Sequence, residues 1–122
     1  MQVVNTCGQP AQPFTLYTQV YDEATRATAS NVLLKVQALG LVVPGIENVS
    51  NTASRSGTRA PFEWRAPTVL YASGGAACAN ALVEWANRTL PELATVKARA
   101  VALPPGAGKA SVLELWLPRR RH

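Results

Sequence analysis

Acid–base catalysis needs a positioned proton carrier, and this chain is short of them. Its one histidine is the last residue, His122, and its one aspartate, Asp22, stands where a helix start already accounts for it. Glu47, Glu63, Glu84, Glu92 and Glu114 are scattered over different segments, so a paired-carboxylate site needs two of them to converge by folding. Cys7 and Cys78 are the only cysteines, and they lack the two-pair spacing of a zinc centre. They are read as two unconnected thiols in preference to one bridge, which export would favour. No enzymatic activity, cofactor or metal is expected.

Two glycine-rich stretches invite a phosphate reading. Gly106-Ala107-Gly108-Lys109 has the ending of a phosphate loop, but Leu103 stands where that pattern wants its first glycine and Ala110 where it wants Ser or Thr. The stretch also separates two strand-like segments and opens no helix, so the amides that cradle phosphate are missing. It is read as a hairpin turn. Ser73-Gly74-Gly75 does precede a helix, although a strand-to-helix turn is sufficient reason for those residues. The triplets at Asn48 and Asn87 fit the glycosylation pattern and are discounted, because such short matches arise by chance and Asn87 falls within a helix.

The elements that must position any site follow from periodicity. Residues 14–21 alternate as a strand does, Phe14, Leu16, Thr18 and Val20 against Thr15, Tyr17, Gln19 and Tyr21. Asp22 then caps a helix whose Ala29, Val32, Leu33, Val36 and Leu39 share a stripe, and Gly40 supplies the stop. Residues 41–49 turn extended again but contain Pro44 and Gly45, which suits an edge or bulged strand. Residues 50–67 read as a long polar loop, with Phe62 and Trp64 against the sheet edge.

The second half repeats the first at an offset of 50 residues. Val20 and Tyr21 correspond to Leu70 and Tyr71, and Ala29, Val32, Leu33 and Val36 to Ala79, Leu82, Val83 and Ala86. The second helix is expected to start near the Ser73-Gly74-Gly75 turn and stop at Pro91, after which residues 96–101 and 112–117 form a closing hairpin. Two such halves interleave most economically as an α+β, ferredoxin-like βαββαβ module with an extra C-terminal strand, an antiparallel sheet carrying both helices on one face. Strands one and three would be its central pair. The expected division is a 1–13 extension, a 14–118 module and a 119–122 basic tail.

On that layout the uncovered face presents Tyr17, Gln19, Tyr21 and Tyr71, with Lys97, Arg99 and Trp116 from the hairpin and Trp64 from the loop. Aromatic side chains beside basic ones make a contact surface, and these eight are the candidate binding residues. Composition bounds the partner. Apolar residues are 48% and charged residues 16% of the 122, enough to fold and unlike a disordered chain. Of the net charge of +5, Arg119, Arg120 and Arg121 supply three, so the body is barely basic and nucleic acid is an unfavoured partner. No apolar run reaches the roughly 20 residues of a membrane span, and no signal segment follows Met1. The start is read as a boundary within a longer protein, with the cytoplasm favoured over the cell envelope.

The runs YTQVYDEATR (17–26), VPGIENV (43–49), TVLY (68–71) and LELWLP (113–118) resemble the small accessory domain found beside other domains in bacterial multidomain proteins, some with caspase-like peptidase domains. The duplicated layout is also similar in pattern to SPOR domains and to the LytR C-terminal domain. The first resemblance implies a non-enzymatic recognition or regulatory module contacting a protein or neighbouring domain. The SPOR likeness implies peptidoglycan glycan-strand binding on the open face, carried over only to Tyr17, Gln19 and Tyr71. The long 50–67 segment departs from a compact SPOR unit. Single-stranded nucleic-acid binding through the sheet aromatics is the third reading.

Overall fold

A computed structural model describes residues 2–59, 61–93 and 95–119. Along the chain lie α1 (Gln2–Cys7), β1 (Thr15–Val20), α2 (Arg26–Gln37), β2 (Ile46–Asn48), α3 (Val49–Ser56), β3 (Thr68–Tyr71), α4 (Ala76–Thr89), β4 (Arg99–Ala102) and β5 (Val112–Leu117). Short 3-10 turns at Glu23–Thr25 and Pro91–Leu93 flank the two long helices. The fold is α+β, with one five-stranded mixed sheet in the order β2-β1-β5-β3-β4.

That order corrects the antiparallel ferredoxin-like expectation. β1 pairs with β2 in parallel, and β3 with β4 in parallel, so each half is a strand-helix-strand unit with its own parallel pair. β5 separates the halves, parallel to β1 and antiparallel to β3. Strands β1 and β3 therefore never touch. The reason lies in strand length: β1 and β5 are both six residues long and pair along their whole length, from Thr15 opposite Val112 to Val20 opposite Leu117. The four-residue β3 offers β5 a shorter ladder.

The expected hairpin between the last two strands is absent, because β3 lies between β4 and β5. Adjacent strands sit about 4.8 Å apart, so the connection from Ala102 to Val112 must bridge about 10 Å, which its nine residues do easily. It passes over the turn between β3 and α4, and small residues mark the crossing. A Cβ on Gly75 would lie 3.1 Å from the Ala110 carbonyl oxygen, and one on Gly108, at φ +74°, 3.0 Å from Leu103 Cδ1. This backbone crossing is what occupies the Ser73-Gly74-Gly75 turn.

Both long helices pack on one sheet face. Leu16 and Val20 of β1, Leu113, Leu115 and Leu117 of β5 and Val69 of β3 meet Val32 and Val36 of α2 and Leu82 and Trp85 of α4 in one cluster. Asp22 caps the 3-10 turn that leads into α2, not α2 itself: its Oδ1 accepts from the Thr25 backbone N–H at 3.0 Å, Thr25 precedes α2 without a side-chain cap, and the chain leaves through Gly40 at φ +98°. The 50-residue offset is kept by the helices, which start at Arg26 and Ala76. It fails by one for the strands. Five residues separate Val20 from α2, but four separate Tyr71 from α4, so Tyr71 takes the place of Val20 and Leu70 points the other way. Side chains alternate with period two, so this single residue inverts the face of all of β3. Tyr71, expected outside, packs against the helix-side core.

Residues 50–67 are not simply a loop, for α3 follows β2 directly. Asn48 Oδ1 caps it by accepting from the Asn51 N–H at 3.1 Å, and Gly57 closes it at φ +69°. The helix was hidden because VSNTASRS buries only Val49 and Ala53. Residues 1–13 are likewise more than an extension: α1 lies against α4, with Val3 and Cys7 in the core. Cys7 and Cys78, expected as separate thiols, form a disulfide with 5.2 Å between Cα atoms. Sequence spacing carries no trace of a meeting made by helix packing.

Two stability predictions follow from this core. Leu113 is fully buried on the central strand, so Leu113→Ala should cost about 2–5 kcal/mol in urea denaturation as a cavity. The bridge spans 71 residues of sequence, and closing a loop of that length restrains the unfolded chain by roughly 4 kcal/mol. The Cys7→Ser/Cys78→Ser double variant should therefore denature at a clearly lower midpoint, and added reductant should move the wild type alone.

Candidate functional site

The sheet face away from α2 and α4 is built in two rows. Tyr17, Glu114, Leu70 and Val101 stand side by side across β1, β5, β3 and β4. The next row runs Glu47, Gln19, Trp116, Thr68 and Arg99, across all five strands. Trp116 Nε1 donates to Glu114 Oε1 at 2.9 Å, tying the two rows along β5.

This face is not open, because residues 61–67, before β3, cross it as a strap. Tyr21, one residue beyond β1, holds the strap by its backbone: its hydroxyl donates to the Phe62 carbonyl at 2.8 Å and accepts the Trp64 N–H at 2.9 Å. Its ring lies 5.8 Å from that of Trp116 and is only 2% exposed. Burial raises the Tyr21 pKa above its ordinary 10.0, and the nearby Glu63 carboxylate pushes the same way, against the Trp64 N–H and Arg119. Trp64 then covers the far side, with the Arg99 guanidinium 5.6 Å from its ring centroid and Phe62 edge-on at 4.9 Å.

Arg119 pins the other end. Its guanidinium lies 3.0 Å from Glu63 and 3.6 Å from Asp22, 5.9 Å from the Tyr21 ring centroid, and within 3.5 Å of Ser50 Oγ. Two carboxylates do converge here, but on a cation that compensates them. Arg119, expected in a basic tail, makes these contacts with the fold, and the remaining tail residues, Arg120, Arg121 and His122, lie outside the described residues. A second ionic tie holds the β2 edge. Glu23 takes Arg26 at 2.8 Å and the Asn48 amide at 2.7 Å, and these bonds lower its pKa to about 2. With Asn48 so engaged, and the Asn87 amide bonded both ways to the Ala98 backbone, neither asparagine presents a free side chain.

Of the eight candidate binding residues, six share this face: Tyr17, Gln19, Tyr21, Trp64, Arg99 and Trp116. Tyr71 is on the opposite face, and Lys97 lies beyond the end of α4, its ammonium donating to the Asn87 carbonyl at 3.2 Å. Tyr21 is scaffold, being buried. What remains outward is Phe62 at 72% exposure and Tyr17 at 44%, with Arg99 exposed at the β4 edge of the same face, over Trp64. Phe62, expected only against the sheet edge, owes its prominence to a hydrogen bond from a tyrosine 41 positions away. Glu23, Glu63 and Arg119 were missed as partners, for a charge shows in sequence but its counter-charge does not.

No cluster of three or more His, Cys, Asp or Glu side chains able to hold a metal occurs among the described residues, and none of their helices is long and apolar enough to cross a membrane. No family model matches the chain, and neither a curated protein nor a solved structure does.

The Tyr21 clamp makes a signed prediction. The folded state keeps the phenolic proton at a pH where the unfolded chain has lost it, so this contribution is complete below about pH 10 and fades as pH rises beyond it. Tyr21→Phe should abolish that part of the alkaline loss relative to wild type. At neutral pH it should cost about 1–3 kcal/mol, because the Phe62 carbonyl and Trp64 N–H lose their partner. Hydrogen exchange of residues 61–66 should rise in the same variant.

Proposed function

We propose that the chain is a non-enzymatic recognition module of a larger bacterial protein, docking a protein or neighbouring domain on its strapped sheet face. The observation that carries this reading is Phe62. It is a large apolar side chain left 72% exposed on backbone fixed through the Tyr21 hydroxyl. Holding an aromatic group rigid in water gains nothing for the isolated fold, but it lowers the ordering cost of association, and such anchors dominate binding energies. Tyr17 and Arg99 add an aromatic and a cation to the same surface.

The other readings find less support. Glu47, Glu63 and Glu114 stand on or beside this face among its arginines, so no basic stripe runs across it to neutralise phosphates. The glycan reading rests on Tyr17, Gln19 and Tyr71, of which the last points into the opposite face. The buried Cys7–Cys78 bridge favours a compartment where disulfides persist, so export is the setting we propose.

Phe62→Ala tests the reading. It should leave the denaturation midpoint within about 0.5 kcal/mol of wild type, as surface changes do. In calorimetric titration against the proteins or domains encoded beside this chain, it should weaken binding by about 2 kcal/mol or more. Equal affinity of wild type and variant would refute the site. Co-sedimentation with peptidoglycan that the variant loses would transfer the same face to glycan.

A further inference from the structure

The sheet has two edges, and they are finished differently. At β2 the edge is blunted: Pro44 and Gly45 precede the strand, α3 follows it directly, and Arg26 Nη1 donates to the Ile46 carbonyl at 3.1 Å. β4 has no such cover. It pairs only with β3, and the Arg99 and Leu103 N–H groups donate to the Pro67 and Tyr71 carbonyls at 3.0 and 2.8 Å. Backbone groups alternate along a strand, so the N–H and C=O of both Ala100 and Ala102 point away from the sheet, where no described strand lies.

Natural edges of this kind are commonly guarded by a charged side chain. The only charge on β4 is Arg99, and its guanidinium is folded back over the Trp64 ring, 5.6 Å from the centroid. Ala100, Val101 and Ala102 are small and uncharged, so nothing on the strand repels a second copy of itself. Backbone groups then fix the register of antiparallel self-pairing. Centred on Ala100, it would set Ala102 against Ala98, whose N–H and carbonyl are already bonded to Asn87. Centred on Ala102, it would set Ala100 against Pro104, which has no N–H. Centred on Val101, it sets Ala100 of each copy against Ala102 of the other, and both ladder bonds form in each pair. Arg99 then faces Leu103 and never another arginine.

We infer that the chain forms a two-fold dimer through its β4 edges, antiparallel about Val101, so that two sheets become one. The strand that suits this edge is β4 itself: free at Ala100 and Ala102, apolar at its centre, and limited by Asn87 and Pro104 to the same length. An isologous contact consumes the edge, and β2 is blunted, so assembly closes at two copies and does not grow into a fibre. So short a ladder makes a small interface, and the association is weak and reversible.

Sedimentation equilibrium of the intact chain, carried to about 1 mM because small interfaces are weak, should fit a monomer–dimer equilibrium. Ala102→Pro removes an outward N–H and no bond to β3. It should keep the wild-type circular dichroism and urea midpoint while weakening the dimer about tenfold or more. Val101→Cys reads the register. Its two copies would stand about 4.5 Å apart between Cα atoms, within the roughly 4.4–6.8 Å of disulfides, so mild oxidation should cross-link the dimer. Tyr17→Cys, exposed on β1, should not cross-link. Phe62→Ala should dimerise as wild type does, which separates this edge from the strapped face. A wild type that stays monomeric at the highest concentration would overturn the inference. So would a dimer that Ala102→Pro leaves intact, one that Phe62→Ala abolishes, or a Val101→Cys variant that does not cross-link.

Discussion

The pairing of β5 between β1 and β3 is the interaction on which the remaining structure depends. Each half of the chain makes only a two-stranded parallel sheet, β1 with β2 and β3 with β4, and such pairs are too small to stand alone. The last strand joins them, giving six residues to β1 and four to β3. It also brings Leu113, Leu115 and Leu117 to the helices and Glu114 and Trp116 to the opposite face, so one strand completes both the core and the candidate site. Cooperative folding must therefore await the pairing of β5.

The two sheet faces are then closed by different means. On one side α2 and α4 bury a continuous apolar layer, and α1 is added through the Cys7–Cys78 bridge. On the other side a strap is held by backbone hydrogen bonds to one tyrosine and by an arginine between two carboxylates. The first closure is hydrophobic and tolerant of volume-conserving exchange. The second is directional, set by the Tyr21 oxygen and the Arg119 guanidinium. Partial coverage of this kind leaves the Phe62 side chain projecting from backbone held by the Tyr21 hydroxyl.

Local charge and capping groups do more here than their exposure suggests. Asp22 caps the 3-10 turn before α2, and Glu23 links that turn to Arg26 and to Asn48, the cap of α3. Exposed ion pairs individually contribute about 0–1 kcal/mol. Their importance is geometric, since they fix where β2 ends and α3 begins and hence where the strap must start.

What the amino-acid sequence determined by itself was local. The place of α2 follows from the Asp22-capped turn that leads into it, the Val32 and Val36 stripe and the Gly40 exit, and α4 from its matching stripe before Pro91, because these signals act within one or two turns of backbone. The alternation of residues 14–21 placed Tyr17 and Gln19 on the outer face for the same reason. Tertiary structure decided the rest. Strand order is set by which ladder is longest, and the face of Tyr71 by a linker one residue shorter than its counterpart, so β3 was read in the wrong phase. The disulfide, the Tyr21 clamp on Phe62 and the Arg119 ion pairs join residues 71, 41 and 56 or more positions apart. Such contacts exist only once packing has brought the partners together, so the site's aromatic residues were readable in the chain while the strap that arranges them was not.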